Sequence, residues 1–453
     1  MRAKKTMWSS RAFMRLALLV AIVMGSGGSD VVAQALLDLC GCAGTPGLLP
    51  FNASDPTTYP PGTSGCSGPC DSGVITLPLP PDGVLRFSSF TVSGGSGGFF
   101  IRFAETNPNR TNTPVTILVA GDVVLRRTNG CCGDINISGG DGSHGGNGIA
   151  GVGGGGGPGG YRGGDGAAPG VNLATIGGAG QGPGGGQGAS LTANAVGGTF
   201  LGVPELVPLV GGSGGGGGGN SGSTAVTCTG GGGGGGGGAI LIAANGTFTM
   251  HNFDIFNDGG VGGSVGNGSC GARGGAGGSA GAIRLVANSF VHVGTARLFA
   301  RGGGANFNAP GGSSGRIRIE SVDPSAQSNL SPDPTSVALR ITGPGPVSNP
   351  VAPIVRITAV NGNPVPDPPQ GFRGSIDLTL PAPGVVSVDL ATSGVPSGTT
   401  LEVRSKARIG ADPVISTVPL TNCDSQGNCT ATATFNLNAG ASVIEARATF
   451  QVQ

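Results

Sequence analysis

Short runs of alternating apolar and polar residues recur along the chain. They are clearest in "AILIAANGTFTMHNFDIF" from Ala239 and "AIRLVANSFVHVGTARLF" from Ala282. The two stretches align without a gap at a constant offset of 43, which sets Ile240 beside Ile283, Ile242 beside Leu285, Phe248 beside Val291, Met250 beside Val293 and Ile255 beside Leu298. A diverged copy runs from Thr113 to Gly140, and a partial copy, "GGSSGRIRIE", starts at Gly311. In each unit the alternation has the period of a strand, with Ile283 and Leu285 on one face and Arg284 on the other. Units of this kind cannot bury their apolar face alone, so stacking in register predicts a parallel β-helix. The arginine-rich "GRIRIE" is expected at an exposed or terminal coil.

Glycine changes this picture. The chain of 453 residues contains 96 glycines. Nine of them, Gly230–Gly238, run directly into the strand that begins at Ala239. From Gly139 to Gly166 every third residue is glycine. A period of three matches a polyproline II helix, which has three residues per turn. Only Pro158 lies within that stretch, too little imino acid for collagen, so glycine helices bonded side by side as polyglycine II fit better, with a flexible linker as the competing reading. Ordering costs about 1–2 kcal/mol per residue, and most for glycine, so such tracts hold only if neighbouring backbones bond nearly every residue.

Composition divides the chain. Residues 1–35 read as a signal peptide: Arg2, Lys4, Lys5, Arg11 and Arg15 precede an apolar run from Leu16 to Met24, and Ala33-Gln34-Ala35 follows. Residues 36–112 form a capping region with local disulfides, 113–325 the glycine-rich β-helix and 326–350 a proline-rich linker. Residues 351–453, with seven alternating segments that include "SIDLTL" from Ser375, read as an immunoglobulin-like β-sandwich. The expected class is therefore all-β and the expected address extracellular or cell-surface, with no transmembrane segment in the mature chain.

The leader takes five basic residues and one acidic residue with it, so the net charge of +1 becomes −3 and Lys406 is the one lysine left. A nearly neutral chain without a basic run offers no footprint for nucleic acid. All ten cysteines survive, and in an exported chain they read as disulfides. Cys66 with Cys70, Cys423 with Cys429 and Cys228 with Cys270 are the expected pairs, while Cys40-Gly-Cys42 and Cys131-Cys132 are expected to seek longer-range partners. With three histidines and no second CxxC, zinc is disfavoured. "GGDGSHGGNG" lacks the recurring acidic core of calcium nonapeptides, and no cofactor is assigned.

In order along the chain, "TPVTILVAGDVVL", "GGGGGGGGGAILIAANGTF", "GGAGGSAGAIRLVANSF" and "GGSSGRIRIESVD" resemble a group of exported, glycine-rich bacterial β-helix proteins. Such proteins often carry a C-terminal domain that begins like "PIVRITAVNGNPVP". The resemblance implies a right-handed β-helix and a following immunoglobulin-like domain, and carries no activity or catalytic residue with it.

Chemistry has few candidates. The offset of 43 stacks Asp254 over Arg297 and Asp258 over Arg301, a surface cluster that reads either as an ion-pair ladder or as the acids and bases of a carbohydrate-active coil. His251 and His292 align within one residue of each other in adjacent coils, and a turn role is preferred over a metal. Without tryptophan in the mature chain, aromatic sugar platforms are scarce. The reading is an exported, non-enzymatic structural or adhesive β-solenoid whose partners are polysaccharide or cell-surface components. A carbohydrate-active or polysaccharide-binding β-helix is the first alternative, and a glycine-helix protein that binds ice or a surface is the second.

Overall fold

The computed structural model describes residues 38–40, 42, 45–65, 72–94, 98–105, 113–127, 133–146, 148–168, 176–190, 192–220, 229–265, 271–304, 309–323, 330–343, 347, 354–366, 376–407, 414–424, 428–437 and 439–449. These residues contain no α-helix, and the fold is all-β. Two sheets are parallel throughout, as in a β-helix or solenoid.

The solenoid strands are β1 (Phe51–Asn52), β2 (Ser72–Leu79), β3 (Val84–Phe87), β4 (Phe90–Gly94), β5 (Gly98–Glu105), β6 (Val115–Val119), β7 (Val123–Arg127), β8 (Asp134–Asn136), β9 (Ala239–His251), β10 (Asp254–Phe256), β11 (Ala282–Val293), β12 (Arg297–Phe299), β13 (Arg316–Ser321), β14 (Ser331–Asp333) and β15 (Ala338–Thr342). The first sheet stacks β1-β4-β7-β9-β11-β13-β15, with β3 and β6 completing it beside β9. The second stacks β2-β5-β8-β10-β12-β14. Inward residues of successive coils superpose: Ile117, Ile242, Leu285 and Ile319 share one row, and all four are fully buried. Burial of each such side chain contributes roughly 1.5–3 kcal/mol, and the row repeats from coil to coil.

Two segment boundaries move. The region 36–112 is no separate cap, because β1 to β5 already pair in parallel with later coils and their Phe51, Ile75, Phe90 and Ile101 join the same core. Nor is 326–350 a bare linker: Ser331-Pro332-Asp333 pairs with β12, and Ala338–Thr342 pairs with β13. Pro332 fits because the second sheet ends there, where a missing N–H interrupts no further ladder among the described strands.

The constant offset of 43 also fails locally. The register shifts between Ala287 and Ser289, so Phe248 pairs with Phe290 and Met250 with His292 rather than with Val291 and Val293. The shift brings the Phe248 and Phe290 rings to 5.4 Å inside the core. The arginine-rich β13 is not at an exposed end; it lies between β11 and β15. On its outer face Glu320, 2% exposed, accepts from Arg284 Nε at 2.6 Å and Arg318 Nε at 2.7 Å. Burial alone would raise the Glu320 carboxyl, but the two arginine hydrogen bonds outweigh it and hold the group below its ordinary value. Nearby, Leu39, Cys40 and Cys42 pack with Leu241, Ala243 and Val286. Cys40 and Cys42 are disulfide-bonded to each other, not to distant partners, with Cα atoms 5.2 Å apart. Asn245 Oδ1 accepts from Cys40 N, and Asp38 Oδ1 accepts from Cys42 N, which fixes that short loop.

Between and beside these strands the glycine tracts are ordered. Among the described residues twelve extended segments run alongside one another: g1 (137–146), g2 (149–157), g3 (160–167), g4 (177–181), g5 (184–190), g6 (193–200), g7 (211–219), g8 (229–238), g9 (257–264), g10 (273–281), g11 (300–304) and g12 (310–315). In g8 the bonding has a three-residue period. Gly230, Gly233 and Gly236 donate to Ala167, Gly164 and Tyr161 of g3; Gly231, Gly234 and Gly237 donate to Arg273, Ala276 and Ser279 of g10; Gly232, Gly235 and Gly238 donate to Ser143, Gly140 and Ile137 of g1. Its carbonyls accept in the same rotation from g2, g7 and g9. Six neighbours around a threefold helix is polyglycine II packing.

The same holds for g7, bonded to g3, g4, g5, g6, g8 and g10, and for g10, bonded to g6, g7, g8, g9, g11 and g12. Around these three, the remaining nine close a ring in the order g1-g2-g3-g4-g5-g6-g12-g11-g9 and back to g1. The position in this array explains the composition. A segment with six neighbours turns all three of its faces toward backbone, so g7 and g8 are almost pure glycine and g10, after Arg273 at its start, admits only Gly, Ala and Ser. A Cβ on Gly233, Gly234 or Gly235 would come inside 3.0 Å of the carbonyl oxygens of Gly215, Gly260 and Gly155. Ring segments carry larger side chains at every third position, where they face out: Ala193, Val196 and Thr199 on g6, and Asp258, Val261 and Ser264 on g9.

The C-terminal region has β16 (Ile354–Val360), β17 (Asn363–Pro364), β18 (Gly384–Ser393), β19 (Thr400–Ala407), β20 (Val414–Pro419), β21 (Asn422–Cys423), β22 (Cys429–Leu437) and β23 (Ser442–Ala448). They form two antiparallel sheets, β17-β16-β18-β22-β21 and β20-β19-β23, which share a core of Val386, Val388, Leu390, Leu401, Val403 and Phe435. The segment 376–380, the described part of "SIDLTL", is not a strand; its Leu378 and Leu380 only pack against that core. Cys423 and Cys429 face each other across β21 and β22 and are disulfide-bonded.

Candidate functional site

The outer face of the second sheet collects the charged cluster. Register places Asp134, Asp254, Arg297 and Ser331 in one row across β8, β10, β12 and β14, and Asn136, Phe256, Phe299 and Asp333 in the next outward row. The alternate positions Ile135, Ile255 and Leu298 point inward and are fully buried. Just past the strands, g1, g9 and g11 add Ser138, Asp258 and Arg301. An aromatic row is thus flanked on both sides by an aspartate–arginine row.

The contacts within this grid are close. Arg297 spans Asp254 with Nε at 3.0 Å from Oδ1 and Nη2 at 2.7 Å from Oδ2. Arg301 Nη2 lies 2.6 Å from Asp258 Oδ2, its backbone N–H donates to Asp258 Oδ1 at 2.9 Å, and its Nη1 is 3.8 Å from Asp333. Arg102 of β5 holds Asp134 at 2.5 Å. The rings of Phe256 and Phe299 stack 4.7 Å apart at an interplanar angle of 4°, the spacing of adjacent coils. Both guanidinium groups lie over Phe299, Arg301 at 4.3 Å and Arg297 at 5.2 Å from its centroid.

Electrostatics follow from these partners. The hydrogen bond that Arg297 donates to Asp254 raises its guanidinium, and the one that Arg301 donates to Asp258 raises that of Arg301. Asp134 moves the other way from an ordinary ion-paired acid: burial raises its carboxyl, Arg102 pulls it down by hydrogen bond and charge, and Asp254 in the adjacent coil pushes it up again. The arrangement is a set of bidentate ion pairs capping an aromatic stack. Asp134, Asp254 and Asp258 are each held by an arginine.

Asp254, Asp258, Arg297 and Arg301 are therefore brought together by the fold. His251 and His292 are not: His251 pairs with Val293 and Arg126, and His292 pairs with Met250. Among the described residues no group of three His, Cys, Asp or Glu side chains is placed to hold a metal. Asp141 and His144 of "GGDGSHGGNG" serve the glycine array, accepting from the outward N–H groups of Val261 and Ser264 at 2.7 and 2.9 Å. Cys66, Cys70, Cys228 and Cys270 lie outside the described residues, as do Cys131, Cys132 and residues 1–35, the expected signal peptide.

Arg102, Asp134, Phe256, Phe299 and Asp333 belong to the cluster and were not singled out by sequence. A signal existed for three of them: "DINISGG" at Asp134, "DIFNDGG" at Asp254 and "RLFARGG" at Arg297 are successive copies of one corner. Comparison with protein-family models, curated proteins and solved structures finds no match for the chain.

Proposed function

We propose that the protein is an exported, non-enzymatic structural or adhesive element of a cell surface or extracellular matrix. In this reading the parallel sheets form a right-handed β-helix and the C-terminal sandwich is an immunoglobulin-like module. The observation that carries the reading is the closed array of g1 to g12, a body held together by backbone-to-backbone hydrogen bonds between neighbouring glycine-rich segments. The surface carboxylates support it, since Asp134, Asp254 and Asp258 are each consumed by an arginine. The test is incubation of the purified full-length mature chain with acidic and neutral polysaccharides, assayed for new reducing ends or unsaturated products. No turnover is expected; saturable turnover lost in Asp254→Asn or Arg297→Gln overturns the reading.

A second reading is favoured by the Phe256–Phe299 stack with its flanking arginines, an aromatic and polar grid suited to lying against a sugar chain. It predicts retention on a polysaccharide matrix that is weakened by Phe299→Ala or Arg301→Gln.

A further inference from the structure

Lys406 is the one lysine that remains once the leader is removed, and it is 2% exposed. Its position on β19 places the ammonium against a turn of the glycine array between g4 and g5. Nζ donates to Gly180 O at 2.9 Å and to Gly182 O at 3.1 Å, and lies 3.2 Å from Glu445 Oε2. An ammonium has three donors, and three acceptors surround this one. Glu445, on the neighbouring strand β23, also reaches across: its Oε1 accepts from Gly182 N at 2.8 Å. Arg404, two residues from Lys406 on the same strand, donates to Pro183 O at 3.4 Å.

The turn is shaped for this contact. Gly182 adopts φ +93°, and a Cβ there would come within 3.0 Å of the Tyr161 ring. A Cβ on Gly185 would come within 3.0 Å of Lys406 Nζ itself. The sequence "GQGPGGG" from Gly180 thus leaves room for one phenol from g3 and one ammonium from the sandwich. A buried ammonium is tolerated only while its acceptors are all in place, because a charge without partners in that position is strongly disfavoured. Sliding the sandwich along the array would separate Lys406 Nζ from Gly180 O and Gly182 O.

We propose that the C-terminal sandwich is a latched module, whose interaction surface is the 180–185 turn of the glycine array and whose bolt is Lys406. While latched, the mature chain presents no lysine amine to solvent; release presents one. The experiment is acylation of the folded mature chain with an N-hydroxysuccinimide ester, followed by peptide mapping, with the N-terminal α-amine as internal reference. Lys406 is expected to label about a hundredfold more slowly than a freely exposed lysine, since reaction waits on local opening. In Glu445→Gln, which removes one acceptor's charge outside the sandwich core, the Lys406 rate rises while the α-amine rate is unchanged. Circular dichroism melting of that variant establishes that both regions remain folded. Small-angle scattering adds a second arm: Lys406→Met broadens the distribution of interatomic distances relative to the native chain. Labelling of native Lys406 at the rate of an exposed lysine overturns the proposal. An unchanged rate in folded Glu445→Gln, or an unchanged scattering profile for Lys406→Met, overturns it equally.

Discussion

The backbone N–H of Gly234 meets the carbonyl of Ala276 at 2.9 Å, one coil away, while the carbonyl of Gly234 receives the N–H of Gly215 at 2.9 Å. Neither residue offers a side chain larger than a methyl group, and the bond is nonetheless repeated three residues earlier and later. Substitution in the inner segments should therefore be far more costly than at the outward-facing positions of the ring. Gly234→Ala places a Cβ against Gly260 O, and overpacking of this kind costs roughly 1–3 kcal/mol or more. Gly155→Ala, whose Cβ meets nothing within 4 Å, serves as the control and should be nearly neutral. Chemical denaturation of both variants reads the difference; equal midpoints would contradict the packing.

The surface ladder should matter less than its geometry suggests. Arg297 and Arg301 have side chains about half exposed, at 48% and 46%. A double-mutant cycle on Asp254→Asn and Arg297→Gln is expected to give a coupling of about 1 kcal/mol, at the top of the range for surface pairs, because Arg297 is half exposed while Asp254 is buried. A coupling of several kcal/mol would mean that the face is desolvated in solution, by self-association or by a ligand.

Acid stability should depend on two carboxylates with opposite signs. Glu320 is held below its ordinary value of 4.5, so its contribution is complete above that pH and is lost as pH falls through the lower folded-state value. Asp134 is raised, so its folded form takes up a proton first and gains relative stability as pH falls. Glu320→Gln should flatten the acid limb of a stability curve while lowering stability at neutral pH, where Arg284 and Arg318 lose their shared acceptor. Asp134→Asn should steepen the acid limb.

Tyr161 provides an alkaline counterpart. Burial, and then the charge of Glu445, push its phenol from 10.0 up to about 12. The unfolded chain ionises first, so stability is complete below pH 10 and falls between there and about pH 12, by on the order of 2 kcal/mol. Absorbance titration is simple because the chain has two tyrosines. Tyr161→Phe should flatten the stability curve in that window, and ionisation of Tyr161 at an ordinary pH in the native protein would show its ring to be solvated.

Much of the solenoid was legible because strand period and repeat coincide: Ile240 with Ile283 and Asp254 with Arg297 follow from one offset. The slip at Ala287 and Ser289 was not, because "SFVHV" offers apolar residues at both phases and only ring packing of Phe290 on Phe248 decides between them. Ser331-Pro332-Asp333 was hidden by its proline, which reads as a breaker until the strand is known to be the last of its sheet. The period of three announced a glycine helix, but the number of neighbours for each segment depends on which distant tracts share the array. Lys406 gave no sequence signal of its contact, because its acceptors are backbone carbonyls more than 200 residues away.

The closed shell of g7, g8 and g10 inside nine partners also has a thermal consequence. Its interior is made of peptide groups, not hydrocarbon, and exposing polar surface lowers the heat capacity of unfolding where exposing apolar surface raises it. Calorimetry of the protein should therefore give a heat-capacity increment below the ~12–15 cal/mol/K per residue of ordinary domains. The resulting stability curve is broad and shallow, and its cold limb, where apolar burial fades, leaves the glycine array comparatively untouched.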